Sequence, residues 1–244
     1  MKAKELLQEF ETIKSLPIRR KKGQQIAKSV SVDQLWDLIK DLKRIGTKSA
    51  WDLIAHLITD KLYQGYPNMV LGLIKDLALH DNWEIREEAA TVIKRLNQKH
   101  FNELLPVYKK WVRGNNPFLK RAVSVGLIKP FKDEDKFIDE ILELFEFIIQ
   151  CDDGYVKKNA GPFGLAAIFR HYPKITEAKL YEWLDKYADN PNVVWNVMSV
   201  FAQANAKYYK TEGKQILVRI KEVGLIDKFP KLRRSFESIK RKVD

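Results

Sequence analysis

The sequence predicts an all-α fold in which antiparallel helix pairs stack into a curved solenoid, an α-α superhelix. Apolar residues recur at helical spacing along nearly the whole chain, for example at Leu35, Leu38, Ile39 and Leu42. No segment alternates apolar and polar residues with the period of a strand. A segment that recurs at intervals of 34 to 37 residues is the third observation.

The recurring segment has one pattern in four places. Two short polar residues are followed by two variable ones, an aliphatic residue, usually a cation, and a small apolar residue four positions after the aliphatic. The copies begin at Asp81, Asn115, Asp152 and Asp189, and a fainter copy begins at Gly46. Periods of this length are typical of solenoids built from helix pairs. The pattern resembles HEAT repeats, whose second helix opens with an Asp…Val-Arg segment.

Helix boundaries follow from capping residues. Ser31 with Gln34, and Asp81 with Glu84, have capping-box spacing. Helices are expected near 3–14 and 18–29, followed by helix pairs near 32–64, 68–98, 101–129, 133–171, 175–209 and 211–242. The stack should form one domain over residues 1–244, with N-terminal helices in 3–29, helix pairs in 32–242 and the second helices on the concave side.

The charge is concentrated at the two ends of the chain. Lys and Arg number 44 against 32 Asp and Glu, a net charge of +12. Residues 1–30 hold eight basic and three acidic residues, and residues 228–244 hold seven and two. A polyanion is the expected partner, with nucleic acid the first candidate. The alternative is that lysine-rich ends only keep a helical protein in solution.

Several function classes are excluded by what the sequence lacks. No apolar stretch is long enough to span a bilayer, and the first residues contain no signal-peptide core. The single cysteine, Cys151, suits a reducing cytosol. The four histidines are scattered without metal-ligand spacing, and no glycine-rich nucleotide loop occurs. We expect a cytoplasmic monomer with no cofactor, no metal and no membrane partner.

The repeat also places basic residues at equivalent positions, where they would point the same way along the groove. They are Arg86, Lys120, Arg121, Lys157 and Lys158. A DNA backbone lying there would receive a series of phosphate contacts. The alternative is that these cations pair with acidic neighbours, which is strongest for Arg86 because Glu87 and Glu88 follow it.

The two termini add further basic residues. The C-terminal segment reads as an amphipathic helix with Leu232, Phe236 and Ile239 inward, and with Arg233 and Arg234 left for solvent or phosphate. The run at residues 19–22 is expected to behave in the same way.

Trp83 and Glu87 are four residues apart and therefore share one helix face. An aromatic ring beside a carboxylate can hold a sugar ring and stabilise positive charge that develops on it, as glycosidic cleavage requires. The alternative is ordinary packing of the tryptophan on the preceding repeat, with a solvated glutamate.

The repeats and the basic balance resemble the AlkD-like DNA alkylation repair family of HEAT-like DNA glycosylases. The resemblance implies excision of positively charged N3- and N7-alkylpurines from duplex DNA. The family motif has an aromatic residue and an Asp four residues later, an Arg on the next repeat and a Trp on the one after. It implies that the lesion's deoxyribose and phosphate are cradled without flipping the base into a pocket.

Two registers of the repeat fit that motif. In the first, Trp83 and Glu87 match the aromatic–carboxylate pair, Arg121 matches the arginine, and Phe163, in the segment that ends at Arg170, stands in place of the Trp. In the second, Trp51 is the aromatic residue and Ala55 stands at the carboxylate position. The first register would keep catalysis with Glu in place of Asp, whereas the second would lose it.

Pro162, between Gly161 and Gly164, is expected to kink the second helix of its pair. The kink would either let backbone approach DNA or adjust packing against the preceding helix. The function expected from the whole sequence is that of a DNA-binding alkylation-repair protein, and its enzyme activity, if any, would be N-glycosidic hydrolysis. The alternatives are a non-catalytic DNA binder of the same superfamily and a scaffold that binds other proteins.

Overall fold

The computed structural model describes residues 3–244, so residues 1 and 2 of the predicted domain 1–244 lie outside the described residues. The described part of the chain is helical and contains no strand, which confirms the predicted all-α fold. The helices are α1 (Ala3–Glu11), α2 (Leu16–Ser29), α3 (Val32–Ile45), α4 (Lys48–Leu57), α5 (Asp60–Gly65), α6 (Pro67–Ala78), α7 (Trp83–Arg113), α8 (Pro117–Gly126), α9 (Ile138–Ile148), α10 (Gly154–Asn159), α11 (Ala166–His171), α12 (Pro173–Lys186), α13 (Pro191–Ser199), α14 (Asn205–Tyr208), α15 (Lys210–Glu222), α16 (Leu225–Lys228) and α17 (Arg233–Val243). Short 3₁₀ turns cover Glu134–Phe137 and Pro230–Leu232, and a π-helical stretch covers Ala160–Leu165.

The chain divides into two compact units, unit 1 (Met1–Leu104) and unit 2 (Leu105–Asp244). Helix α7 runs through the boundary and is interrupted at His100, whose φ of −125° and ψ of 16° are not helical. The interruption falls where the sequence predicts one helix pair to end and the next to begin. The single domain and the curvature of the stack stay predictions.

Unit 1 is built around α4, which packs against α1, α2 and α3. The approach of α2 to α4 depends on Gly23, because a side chain there would collide with the Cβ of His56. Helix α3 begins with the predicted capping box. The Gln34 backbone N–H donates to Ser31 Oγ over 3.1 Å, and the Ser31 N–H donates to Gln34 Oε1 over 2.9 Å.

Unit 2 is a succession of neighbouring helices. Helix α8 packs against α9 and α10, α12 packs against α13, and α15 packs against α17. The π-helical stretch contacts α8, α9 and α13, so it lies inside the packing of this unit. The C-terminal helix buries Phe236 and Ile239, and Leu232 is buried in the turn before it, as the amphipathic pattern predicts.

The repeated segment has the same structural role in each copy: it caps the second helix of a pair. The cap is the second polar residue, whose side-chain oxygen accepts the backbone N–H two residues on. The cap distances are 2.9 Å for Asn82, 3.0 Å for Asn116, 2.7 Å for Asp153 and 2.9 Å for Asn190. Because Asn82 is the cap before α7, the capping box predicted for Asp81 and Glu84 does not form.

The apolar positions of the repeat form the core of each unit. The aliphatic residue and the small residue four positions later are almost fully buried in every copy. The pairs are Ile85 with Ala89 in unit 1, and Leu119 with Val123, Val156 with Ala160, and Val193 with Val197 in unit 2. The i, i+4 spacing therefore marks the inward stripe of each second helix.

The kink predicted around Pro162 is the π-helical stretch Ala160–Leu165. It is held from α13 by Asn196, whose Oδ1 accepts the Gly161 N–H over 3.0 Å and whose Nδ2 donates to the Ile149 carbonyl over 3.0 Å. A Cβ on Gly164 would lie 2.7 Å from Phe145, so this backbone packs too closely for a side chain. Gly161, Pro162 and Gly164 are all buried, which matches the packing alternative.

Replacing Gly161 with alanine is expected to destabilise the protein by about 3 kcal/mol, the upper end of overpacking costs. The added Cβ would collide with the carbonyl oxygen of Asn196, which is backbone and cannot rotate away, and with Ser199 Oγ. Urea unfolding measures the change. The control is Gly154→Ala at the start of α10, where a Cβ meets nothing within 4 Å and stability should stay the same or rise. Equal stabilities of the two variants would contradict the prediction.

Candidate functional site

Trp83 is the first residue of α7, and 60% of its surface is exposed. Asn82 fixes this position, because its cap starts the helix at Trp83. The indole ring is therefore accessible on the surface of unit 1. Glu87, one turn further along the same face, is partly buried. Unit 1 therefore places the predicted aromatic ring and carboxylate side by side on one helix.

Arg86, the next predicted DNA contact, has a local structural role. Its Nη1 donates to the carbonyl oxygens of His80 and Asp81, each over 2.7 Å. The guanidinium therefore closes the loop that precedes α7. This placement matches the alternative that the repeat's cation serves its own neighbourhood.

Lys120, at the equivalent position in unit 2, is also directed towards the protein. Its Nζ donates to the carbonyl oxygen of Phe147 at the end of α9, over 3.3 Å. Partial burial lowers the pKa of the Lys120 amine, while the nearby Cys151 raises it by a smaller amount. The lysine helps to join α8 to α9, the first helix of the next pair.

Arg121 is 5% exposed, and its guanidinium stacks on the ring of Tyr155, with 4.3 Å between the guanidinium carbon and the ring centroid. Tyr155 in turn meets the edge of the Phe118 ring at 5.7 Å between centroids. Stacking of this kind fixes the plane of the guanidinium, and a lysine, which has no planar group, could not replace the arginine here. Arg121 is thus rigidly held between α8 and α10.

Phe163 projects from the π-helical stretch, and 48% of its surface is exposed although the residues on both sides are buried. A π turn inserts one extra residue and rotates the side chain away from the face that the helical period would give it. The predicted aromatic residue of the third element therefore lies on the surface of unit 2.

The remaining predicted contacts lie in unit 2. Lys157 is partly exposed and Lys158 is exposed on α10, and neither forms an ion pair within residues 3–244. Arg170 is exposed at the end of α11 and donates to Asn205 Oδ1 over 3.2 Å. On α17, Arg233 pairs with Asp227 at 3.5 Å, whereas Arg234 is exposed with no ion pair among the described residues.

The sequence was compared with models of known protein families. The model of the family described as DNA alkylation repair enzyme matches residues 11–199. The chain belongs to the DNA alkylation repair enzyme family. No curated protein and no solved structure gives a significant match.

Family membership confirms the resemblance drawn from the repeats and connects the chain to the repair of alkylated DNA. The matched range contains Trp83, Glu87, Arg121 and Phe163, whereas Arg233 and Arg234 lie beyond it.

In the described part of the chain no helix is long and apolar enough to cross a membrane. The same residues contain no group of three or more His, Cys, Asp and Glu side chains that could hold a metal ion.

Sequence reasoning missed a buried charged cluster in unit 1. Asp52 Oδ1 lies 3.1 Å from His56 Nε2, and Glu88 Oε2 lies 3.7 Å from His56 Nδ1. Arg19 pairs with Asp52 at 3.2 Å, and Arg20 pairs with Glu88 at 2.9 Å. These arginines were expected to face solvent or phosphate; instead they neutralise carboxylates between α2, α4 and α7.

The spacing of Asp52 and His56 in the sequence indicated one contact of this cluster. Asp52 and His56 are four residues apart on α4, where i, i+4 neighbours meet. The partners Arg19 and Arg20 come from another helix, which no local pattern could have indicated.

Proposed function

We propose that the protein hydrolyses the N-glycosidic bond of cationic N3- and N7-alkylpurines in duplex DNA. The observation that carries the proposal is the exposed Trp83 one helical turn from Glu87, in a chain of the DNA alkylation repair enzyme family. In the described structure the indole of Trp83 has no ring partner, so its face is open to the apolar side of a deoxyribose. The carboxylate then lies within reach of the anomeric carbon.

The chemistry asks little more of this chain. A purine that carries a positive charge is already a good leaving group, so protonation by a general acid is not needed. Positive charge builds on the sugar as the bond to the base breaks, and Glu87 stabilises it electrostatically. The same carboxylate accepts the proton of the attacking water. The base leaves with the electron pair of the broken bond and becomes neutral.

Unit 2 contributes the grip on the DNA in this proposal. Phe163 supplies a second exposed ring, and Lys157 and Lys158 supply cations that no carboxylate neutralises within the described residues. Phosphate contacts of this kind hold the duplex and do not read its sequence. Arg121 is fixed by its stack on Tyr155 and orients α8 relative to α10. Its charge lies beneath the surface that carries Phe163 and the two lysines.

We adopt the first repeat register for the catalytic pair. In the second register the carboxylate position is Ala55, which is fully buried, and its carbonyl oxygen accepts a hydrogen bond from Arg95 over 2.7 Å. Trp51 there is partly buried and meets the edge of the His80 ring at 5.6 Å. We therefore assign neither residue to the sugar.

A non-catalytic DNA binder of the same family is the second candidate. The observations in its favour are that Arg121 is almost fully buried and that Lys120 bonds a backbone carbonyl. Fewer cations are then available for a phosphate than the repeat pattern predicts. The two candidates differ in one measurable quantity, the rate of base release.

The test uses the full chain and duplex DNA that carries one N7-methylguanine. Base release is followed by chromatography, and binding is followed by fluorescence anisotropy at two salt concentrations. Release well above the spontaneous rate, together with binding that weakens as salt rises, is the expected result. Salt-sensitive binding without release would select the non-catalytic binder. Absence of both would turn the assignment to a scaffold for other proteins.

A further inference from the structure

One surface feature of unit 2 is only partly used by the proposed function: a groove of about 350 Å³ between α10, α13 and the turn before α17, whose Lys157 and Lys158 already serve there as phosphate contacts. Three lysines line it, Lys157, Lys158 and Lys231, together with the ring of Trp195. We call it the lysine–tryptophan groove. Its volume lies at the lower end of the ~300–1,000 Å³ range of small-molecule sites, which is the size class of one nucleotide.

The charge of the groove is uncompensated. No acidic residue lines it, and none of its three lysines forms an ion pair in the part of the chain that the structure describes. Of the acidic residues near these elements, Asp189 pairs with Lys228 and Asp227 pairs with Arg233, whereas Asp152 and Glu237 lie outside the groove lining. Three lysines on one groove give it a positive potential that attracts an anion.

The ring in the groove is also unpartnered. Trp195 is partly exposed and has no aromatic or cationic neighbour stacked on it among residues 3–244. Pro191 and Leu232 complete an apolar side of the groove, and Ser235 adds a hydroxyl. A ligand that fills the site therefore combines a negative group with a flat ring, which is the chemistry of a nucleotide.

We propose that the lysine–tryptophan groove binds one unpaired nucleotide of a DNA strand, with its base stacked on Trp195 and its phosphate among the lysines. Paired bases present no free face, so the ligand must come from a single-stranded segment. Helix α10, which lines the groove, leads directly into the π-helical stretch that displays Phe163, and so the groove continues the proposed DNA-contacting surface of unit 2. The inference rests on the proposed function in this respect.

The test compares a blunt duplex with the same duplex extended by a short thymine tail, using the full chain and fluorescence anisotropy. The tail should raise the affinity of the wild-type protein about tenfold, the gain expected from one stacked base. Trp195→Ala should remove this gain and leave binding of the blunt duplex within about twofold. Trp195→Phe should keep most of the gain, because a phenyl ring still stacks.

Substitutions of exposed lysines give a second test, in which a change in folding is not expected. Lys231→Ala should reduce the tail's advantage, whereas Lys174→Ala, an exposed lysine on α12 outside the groove, should leave it unchanged. A tail advantage that persists in both Trp195→Ala and Lys231→Ala would overturn the proposal. If the wild-type protein binds the blunt duplex and gains nothing from the tail, this inference fails while the proposed function stands. If it binds neither DNA, both fail.

A free nucleotide offers the same chemistry from another source. Thymidine monophosphate is therefore titrated while tryptophan fluorescence is recorded in the wild-type protein and in Trp195→Phe. We expect only weak quenching by the free nucleotide, far below the affinity for the tailed duplex. Quenching by the mononucleotide as tight as binding of the tail, and lost in Trp195→Phe, would overturn the assignment to a DNA strand.

Discussion

Glu87→Gln is expected to lower the rate of alkylpurine release by about 10²–10³-fold while DNA binding changes little. The substitution keeps the size of the side chain and removes the negative charge that stabilises the developing oxocarbenium ion. Because that charge appears only in the transition state, affinity for the intact duplex does not depend on it. Single-turnover release from N7-methylguanine duplex, together with anisotropy titrations, separates the two effects.

The matched control is Glu84→Gln on the same helix, three residues earlier. Glu84 pairs with Lys48 and takes no part in the proposed chemistry. Its loss removes an exposed ion pair of small value and should leave the release rate within about twofold of wild type. A Glu87→Gln protein that still releases the base at the wild-type rate would remove Glu87 from the mechanism. An equal loss in both variants would also do so.

Glu88→Gln is expected to reduce the free energy of unfolding by about 2–4 kcal/mol. It is the same substitution as Glu87→Gln, made at the next residue. The Glu88 side chain is only 7% exposed and lies against Arg20 and His56. Burial lowers the pKa of Arg95 to about 10, and the Glu88 charge opposes that shift. Removing the carboxylate leaves the guanidinium groups of Arg20 and Arg95 without their counter-charge in unit 1.

Urea unfolding of the wild-type protein and of both glutamine variants measures this prediction. Glu87→Gln serves as the control, and its stability should lie within about 0.5 kcal/mol of wild type. The two adjacent substitutions thus have opposite consequences, one on rate and the other on stability. Similar stabilities for the two variants would show that the buried cluster contributes nothing net.

The opposite roles of Glu87 and Glu88 follow from helix geometry. Successive residues are about 100° apart around an α-helix, so one of two neighbours can face the core while the other faces the surface. The direction of the core is marked by Ile85 and Ala89, both buried. The repeat pattern alone therefore separated the apolar stripe from the rest of the helix. It could not say which of the two glutamates would be enclosed by arginines from α2.

The fold class, the helix order and the positions where second helices begin could all be predicted from the amino-acid sequence. These features depend on residues close together in the chain: the 3.6-residue apolar period, the capping side chains and the repeat interval. The capping box at Ser31 and the amphipathic α17 formed as predicted for that reason. Family membership was likewise contained in the linear pattern.

The role of each charged residue, by contrast, depends on contacts between helices that the sequence pattern does not contain. Arg86, Lys120 and Arg121 occupy equivalent or adjacent repeat positions, yet the first caps a loop, the second bonds a carbonyl and the third stacks on Tyr155. The free energy of a charge depends on the dielectric and the partners around it, and these come from other helices. In the same way, the π-helical stretch exposes Phe163 because α13 holds Gly161 in place, a contact between residues 35 positions apart.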